Sequence, residues 1–328
     1  MRRFSFSASL AIFFLLLTAR AFAVAESESS LPAQPTHPPP PPRGAQHHSL
    51  AEWTSRAEVG DLIAQNKLGY SYAFGIGVPQ DQQQALKWLT ASASSGFSAA
   101  QVNLSFLYET GRAGKVDFPQ ALLWIRKAAE QGDAIAEYKL GNMYERGKGI
   151  KRDYLEAANW YRKAAEQGNG MAQNSLGVLY HRGNGVPQDY VQALNWYRKA
   201  AAQGVAEAEN NLGVIYEKGL GVEKDYSQAV ALYNSAASHG AKRAQYNLGM
   251  LYFSGRGVQL DYVRSYMWLN RAAVAGDPLA VQTLKVLAGI MTPHQRLLAL
   301  AEFASPQDLN IAIIQPQPLF IASAADNQ

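Results

Sequence analysis

Apolar and small residues recur along this chain with a period of 36. Glycines stand at 60, 96, 132, 168, 204, 240 and 276. In the same register run Leu68, Leu104, Leu140, Leu176, Leu212 and Leu248, then Tyr72, Tyr108, Tyr144, Tyr180, Tyr216 and Tyr252. Asp81, Asp117, Asp153, Asp189, Asp225 and Asp261 follow the same rule. Six copies without an insertion are not chance. A fixed period of this size is the signature of a solenoid, in which each unit covers its neighbour's apolar side. Within one unit the apolar spacing is helical twice over. Ala136, Leu140 and Tyr144 fall at i, i+4 and i+8, and Ala157, Trp160 and Ala164 at i, i+3 and i+7, each set on one helix face. The loop between them carries glycines, as in Gly147-Lys148-Gly149.

Helix starts carry their own signal. An aspartate is followed three residues later by Gln or Glu in Asp81/Gln84, Asp117/Gln120, Asp153/Glu156, Asp189/Gln192 and Asp225/Gln228. That spacing predicts a capping box, in which both side chains satisfy free backbone N–H groups. Asp261/Arg264 departs from it. The period glycine then ends the second helix, where a left-handed backbone costs least.

Small residues mark close approach of helices: Gly69, Gly141, Gly177, Gly213 and Gly249, with Ser105 in the same register, and paired alanines such as Ala164-Ala165 and Ala200-Ala201. A bulky residue at Gly177 is expected to overpack, at roughly 1–3 kcal/mol. Trp88, Trp124, Trp160, Trp196 and Trp268, with Leu232 in the fifth copy, are expected to fill gaps between repeats. A ligand box is the alternative for such a stripe. Trp53, Ala57 and Gly60 imitate the second helix of a unit, so 49–60 reads as an N-terminal capping helix. Six repeats follow at 61–96, 97–132, 133–168, 169–204, 205–240 and 241–276. Residues 277–304 read as C-terminal capping helices and 305–328 as a tail, whose Ile311 to Ile314 run has the option of tucking against the last repeat.

The first residues have the layout of a secretory signal. Arg2 and Arg3 precede an apolar run, Leu10 to Leu17, and Ala21-Phe22-Ala23 fits the small-x-small cleavage rule. Residues 1–23 are therefore expected to be a signal peptide, cut after Ala23 or, second, after Ala25; an uncleaved anchor is the alternative. Residues 24–48 hold the run Pro38 to Pro42 and read as a disordered linker. His37, His47 and His48 lie there, with solvated polar residues favoured over a metal tract. The expected location is exported, periplasmic or secreted, with a bacterial envelope in view and no transmembrane segment in the mature protein.

The pattern A-x-x-x-L-G-x-x-Y-x-x-G-x-G-V-x-x-D-Y-x-x-A-x-x-W-Y-x-x-A-A-x-x-G, followed almost throughout by residues 172–204, resembles the Sel-1-like repeat family of the tetratricopeptide-like superfamily. The resemblance covers about 61–276, and the helix signalled by Met291-Thr292-Pro293 looks like the closing helix of many bacterial members. It implies an all-α fold, a right-handed α/α superhelical solenoid of about six 36-residue helix-turn-helix repeats with capping helices. It also implies a scaffold or adaptor, in membrane-associated complexes, signalling or envelope processes and host contact. A cysteine-rich branch resembles β-lactamase-like penicillin binders through a disulfide in every repeat. This protein has no cysteine, which removes that hallmark and any lipid anchor on cysteine.

Charge alters this picture little. Of the 30 Lys and Arg, three (Arg2, Arg3 and Arg20) fall in the expected signal, leaving 27 against 26 acidic residues. The formal net charge of +4 is thus a weak ground for nucleic-acid binding, and no nucleic-acid partner is expected. No G-x-G-x-x-G, G-x-x-x-x-G-K-[ST], H-E-x-x-H or G-x-S-x-G motif occurs. No catalytic residue, cofactor site or metal site is expected. His181 and His239 read as surface residues, and Glu109, Glu145 and Glu217 as a solvated ridge, with a cation ladder as the alternative. A basic stripe, Arg126-Lys127, Arg162-Lys163, Arg198-Lys199 and Arg271, invites an anion, but Glu130 and Glu166 stand four residues after two of its arginines. The better binding candidate follows each repeat alanine on the first helix: Asn66, Lys67, Asn103, Tyr138, Lys139, Asn174, Ser175, Asn210, Asn211, Tyr246 and Asn247. The resemblance implies that first helices line a concave face, and amides both donate to and accept from an extended peptide. The expected function is an exported protein-interaction scaffold, with an envelope hydrolase or penicillin-binding protein, or a glycan-strand binder, as alternatives.

Overall fold

Each second helix begins on its repeat aspartate. In the computed structural model, which describes residues 49–301, the Asp153 carboxylate accepts the backbone N–H groups of Leu155 and Glu156 at 2.9 and 3.1 Å. Asp81 and Asp189 likewise accept two N–H groups each, and Asp261 accepts one. The other half of the expected box takes a different form. The aspartate N–H is satisfied by the carbonyl of the repeat tyrosine nine residues earlier, as in Asp153 N to Tyr144 O and Asp261 N to Tyr252 O, both 3.0 Å. The third residue therefore has no capping duty, which is why Arg264 is tolerated there: its N–H still reaches Asp261 at 2.9 Å. Asp153→Ala is expected to cost about 1 kcal/mol and Glu156→Ala to stay within roughly 0.5 kcal/mol. Thermal melting and hydrogen exchange over that helix separate the two. Equal losses would restore the reciprocal box.

The helices group into two compact units, one ending at Lys224 and one starting at Asp225. The first holds α1 (Leu50–Glu58), α2 (Leu62–Phe74), α3 (Gln82–Ser94), α4 (Ser98–Thr110), α5 (Phe118–Glu130), α6 (Ala134–Arg146), α7 (Tyr154–Glu166), α8 (Gly170–Arg182), α9 (Tyr190–Ala201) and α10 (Ala206–Lys218). The second holds α11 (Tyr226–Ser238), α12 (Lys242–Ser254), α13 (Tyr262–Val274), α14 (Pro278–Ile290) and α15 (Pro293–Ala301). Every regular element among the described residues is a helix, so the fold is all-α. In each unit a helix packs on the next one along, except that α15 packs on α13, and α2 also touches α4 directly. The expected signal (1–23), linker (24–48, with His37, His47 and His48) and tail (305–328, with Ile311 to Ile314) lie outside the described residues.

Two glycine positions show why the register is strict. Gly147 ends α6 at φ +69°, a conformation open to glycine, and returns its N–H to Met143 O. Gly185, also at φ +69°, passes so near the Tyr154 backbone that a Cβ would stand 2.2 Å from its carbonyl carbon.

The core is built from a small residue on the first helix facing a large one on the second. A Cβ on Gly141 would lie 2.6 Å from the Tyr161 ring, and one on Gly177 2.7 Å from the Tyr197 ring. Leu89 faces Gly69 in the first repeat and, in the second unit, Leu269 faces Gly249. Where Ser105 replaces the glycine, its hydroxyl donates to Ala121 O at 2.7 Å and so satisfies itself in the core. Tyr161, Tyr197 and Tyr233 are thus the largest fully buried side chains. The tryptophan one residue earlier packs between repeats as expected, Trp160 against the cluster of Ile125 and Leu140 and Trp196 against that of Tyr161 and Leu176. Trp88 and Trp124 are buried, but Trp160, Trp196 and Trp268 keep an open side. There a cation one turn on stacks over the ring: Lys163 at 4.0 Å, Lys199 at 4.1 Å and Arg271 at 4.9 Å.

Candidate partner-binding face

The residue after each repeat alanine is a buried amide or carboxyl: Gln65, Gln101, Glu137, Gln173, Glu209 and Gln245. Gln65, Gln101 and Gln173 donate through Nε2 to Ala57 O, Ala93 O and Ala165 O, each at 3.0 Å. Gln245 does so to Ala237 O at 3.3 Å. On the far side, Gln131 and Gln203 donate to Gln101 and Gln173 at 2.8 Å. Gln167 donates to the Glu137 carboxylate at 2.7 Å, whose pKa burial nonetheless pushes up. The glutamine bonds to Ala57, Ala93, Ala165 and Ala237 tie a first helix to the second helix before it, and those from Gln131, Gln167 and Gln203 tie one to the second helix after it. Their period of 36 is visible in the sequence, but spacing alone does not say which polar positions face inward.

The eleven strip residues divide in the structure. Tyr138, Asn174, Ser175, Asn210 and Tyr246 are buried. Asn66, Lys67, Asn103, Lys139, Asn211 and Asn247 stay partly exposed. The buried five are held in the framework because a first helix is flanked on two sides by neighbours. Asn211, for example, donates to Asn174 Oδ1 at 3.0 Å. An accessible row survives over the first three repeats, and there it gains aromatic company that spacing does not single out. Tyr70 follows Asn66 by one turn and packs on Phe74 with ring centres 4.6 Å apart, and Phe74 stacks on Phe106 at 6.0 Å. Asn103 Nδ2 donates to Asn66 Oδ1 at 2.9 Å, joining α4 to α2.

Cations edge this row. Lys67 Nζ lies 4.1 Å from the Trp53 ring centre, the Arg112 guanidinium 4.9 Å from Phe74, and Lys139 Nζ 5.5 Å from Phe106. Burial holds the Lys139 ammonium below its ordinary pKa, with Glu109 opposing the shift.

The other candidates find partners within the protein. Glu109 accepts an ion pair from Lys148 at 3.0 Å. Glu145 accepts the Tyr161 hydroxyl at 2.6 Å, and burial pushes its carboxyl pKa up. These two carboxylates therefore do not form a solvated ridge. In the basic stripe, Arg126, Arg162 and Arg198 donate to the hydroxyls of Tyr144, Tyr180 and Tyr216 at 3.2, 3.1 and 2.7 Å. His181 is not an open surface residue: its ring packs edge-on against Tyr190 at 5.4 Å and near Tyr197 at 6.3 Å. His239 is exposed at the end of α11. Among the described residues no three His, Cys, Asp or Glu side chains come together as a metal-holding group. No described helix is long and apolar enough to cross a membrane. One open hollow is lined by Glu156, Trp160, Arg162 and Glu166 on the outer side of α7.

The family model of the Sel1 repeat matches residues 62–97, 98–133, 134–169, 170–205, 206–240 and 242–277. Among solved structures, the chain is similar to a protective antigen present in uropathogenic Escherichia coli strains and displaying an SLR fold. Identity there is 35% and the TM-score 0.69, over 80% of this chain and 56% of that one. It is also similar to a Sel1 repeat protein from Oxalobacter formigenes, at 34% identity and a TM-score of 0.62, over 69% of this chain and 100% of that one. The present protein thus spans a little over half the length of the E. coli antigen. No curated protein matches it.

Proposed function

The chain belongs to the Sel1 repeat family, and from that premise we propose that it is an exported interaction scaffold seating a protein or peptide partner on its first-helix face. Proteins built from this repeat are in general non-catalytic and bind proteins. The observation that carries the reading is the accessible row of Asn66, Lys67, Asn103 and Lys139 beside Tyr70 and Phe74. In the later repeats Asn174, Ser175, Asn210 and Tyr246 of the strip turn inward, while Asn211 and Asn247 stay partly exposed. A partner's backbone finds both donors and acceptors in the row's amides. Export is supported by Arg2 and Arg3, the apolar run Leu10 to Leu17 and Ala21-Phe22-Ala23.

Crosslinking in the native cell with a photoreactive group at Asn66, followed by partner identification and cell fractionation, tests both halves. The expected result is one specific partner in an exported fraction. Capture through Asn66 should be lost when Asn103 and Tyr70 are changed to alanine in a variant whose helix content is unchanged. Capture that survives those changes assigns binding to another face. A protein found in the cytosol overturns export.

A further inference from the structure

We propose that the face of the first three repeats seats an acidic, extended segment of the partner, with its carboxylates on Lys67, Arg112 and Lys139 and its apolar side chains against Tyr70 and Phe74. This rests on the interaction-scaffold reading and names the partner's chemistry.

The charges on the face are one-sided. Lys67, Arg112 and Lys139 have no carboxylate within ion-pair reach among the described residues, and each rests on an aromatic ring instead. The two carboxylates nearby are committed, Glu109 to Lys148 and Glu145 to the Tyr161 hydroxyl. A ring face attracts a cation through its quadrupole, a weaker hold than a charge-assisted hydrogen bond to a carboxylate. Lys139 is set deep enough that burial disfavours its charged form. Glu109 opposes that shift without an ion pair, and an incoming carboxylate adds a countercharge in direct contact.

The paired amides select a peptide over a charged membrane. The bond from Asn103 Nδ2 to Asn66 Oδ1 leaves Asn66 Nδ2 and Asn103 Oδ1 to meet a backbone carbonyl and a backbone N–H.

The test is selection of a random peptide display library against the full-length protein. Selected peptides are then titrated against the wild type and against Lys67→Glu, Arg112→Glu and Lys139→Glu combined. A parallel variant with glutamine at the three positions keeps the comparison sound should charge reversal disturb folding, which circular dichroism reports. The expected result is enrichment of peptides rich in Asp and Glu. Their affinity should fall about tenfold or more in either variant and weaken with added salt. Neutral or basic winners overturn the inference and leave the scaffold reading standing, as do acidic winners that bind the variants equally well. Binding to phosphatidylglycerol vesicles with no peptide enriched overturns both readings.

Discussion

Gly177→Leu is expected to lower the stability of the first unit by about 3 kcal/mol, the upper end of the cost of overpacking. A Cβ there would already stand 2.7 Å from two carbons of the Tyr197 ring. That ring cannot retreat, because Tyr197 is 1% exposed and Ala193, Ala200 and Leu194 on the same helix are buried too. For a unit of this size the loss corresponds to a melting point lower by about 6–12 °C. Repeat arrays lose cooperativity along their length, so the damage should be local. Hydrogen-exchange protection should fall in α8 and α9 and persist in α2 and α3. A variant that melts with the wild type would show that the two helices stand further apart than described.

The second large effect concerns Tyr161. Truncation to alanine removes a ring with 0% exposure and should cost about 3–5 kcal/mol. Tyr161→Phe keeps the ring and removes only the hydroxyl that donates to Glu145 at 2.6 Å. Leaving that buried carboxylate without its donor should cost about 1–3 kcal/mol. The two changes also differ in pH behaviour. Burial raises the Glu145 pKa above its ordinary value of 4.5 in the folded protein, while the Tyr161 bond lowers it. Between the ordinary and the raised value the native state holds more protons than the unfolded state. Stability therefore falls as pH rises through that window. Tyr161→Phe widens the window, so its loss should be greater at neutral pH than near the ordinary carboxyl pKa. Glu145→Gln abolishes the window and should gain on the wild type as pH rises to neutral. Melting curves at about pH 4 and pH 7 decide the matter. Equal losses at both would mean that Glu145 is solvated.

The period of 36, the helix pairs and the aspartate starts were legible in the sequence because each rests on contacts inside one helix or one loop. The partner of the aspartate N–H was not. It lies nine residues back on the repeat tyrosine, and a Gln or Glu three residues on mimics the more familiar arrangement. The choice between tryptophan and tyrosine was also hidden. Adjacent residues on a helix point about 100° apart, and both types are large and apolar. What places Tyr161 and Tyr197 inward is the absence of a side chain on Gly141 and Gly177, a pairing between helices. The same limit applies to the binding strip. Its register was readable, but whether Asn174 or Asn103 reaches solvent depends on the helices on either side. The aromatic cluster of Tyr70, Phe74 and Phe106 had a faint local signal in the one-turn spacing of its first two rings.

The facing pairs Gly141 with Tyr161 and Gly177 with Tyr197 each fall inside a single repeat, and the glutamine rungs reach back by the same eight residues each time. A duplicated stretch of gene encoding one whole repeat therefore brings its own interior and the means to fasten onto whatever precedes it. Lineages can lengthen or shorten such an array in whole steps by unequal recombination. The Phe74 and Phe106 rings with their cations near the start are not copied in later repeats, so recognition can stay put while the length of the array drifts.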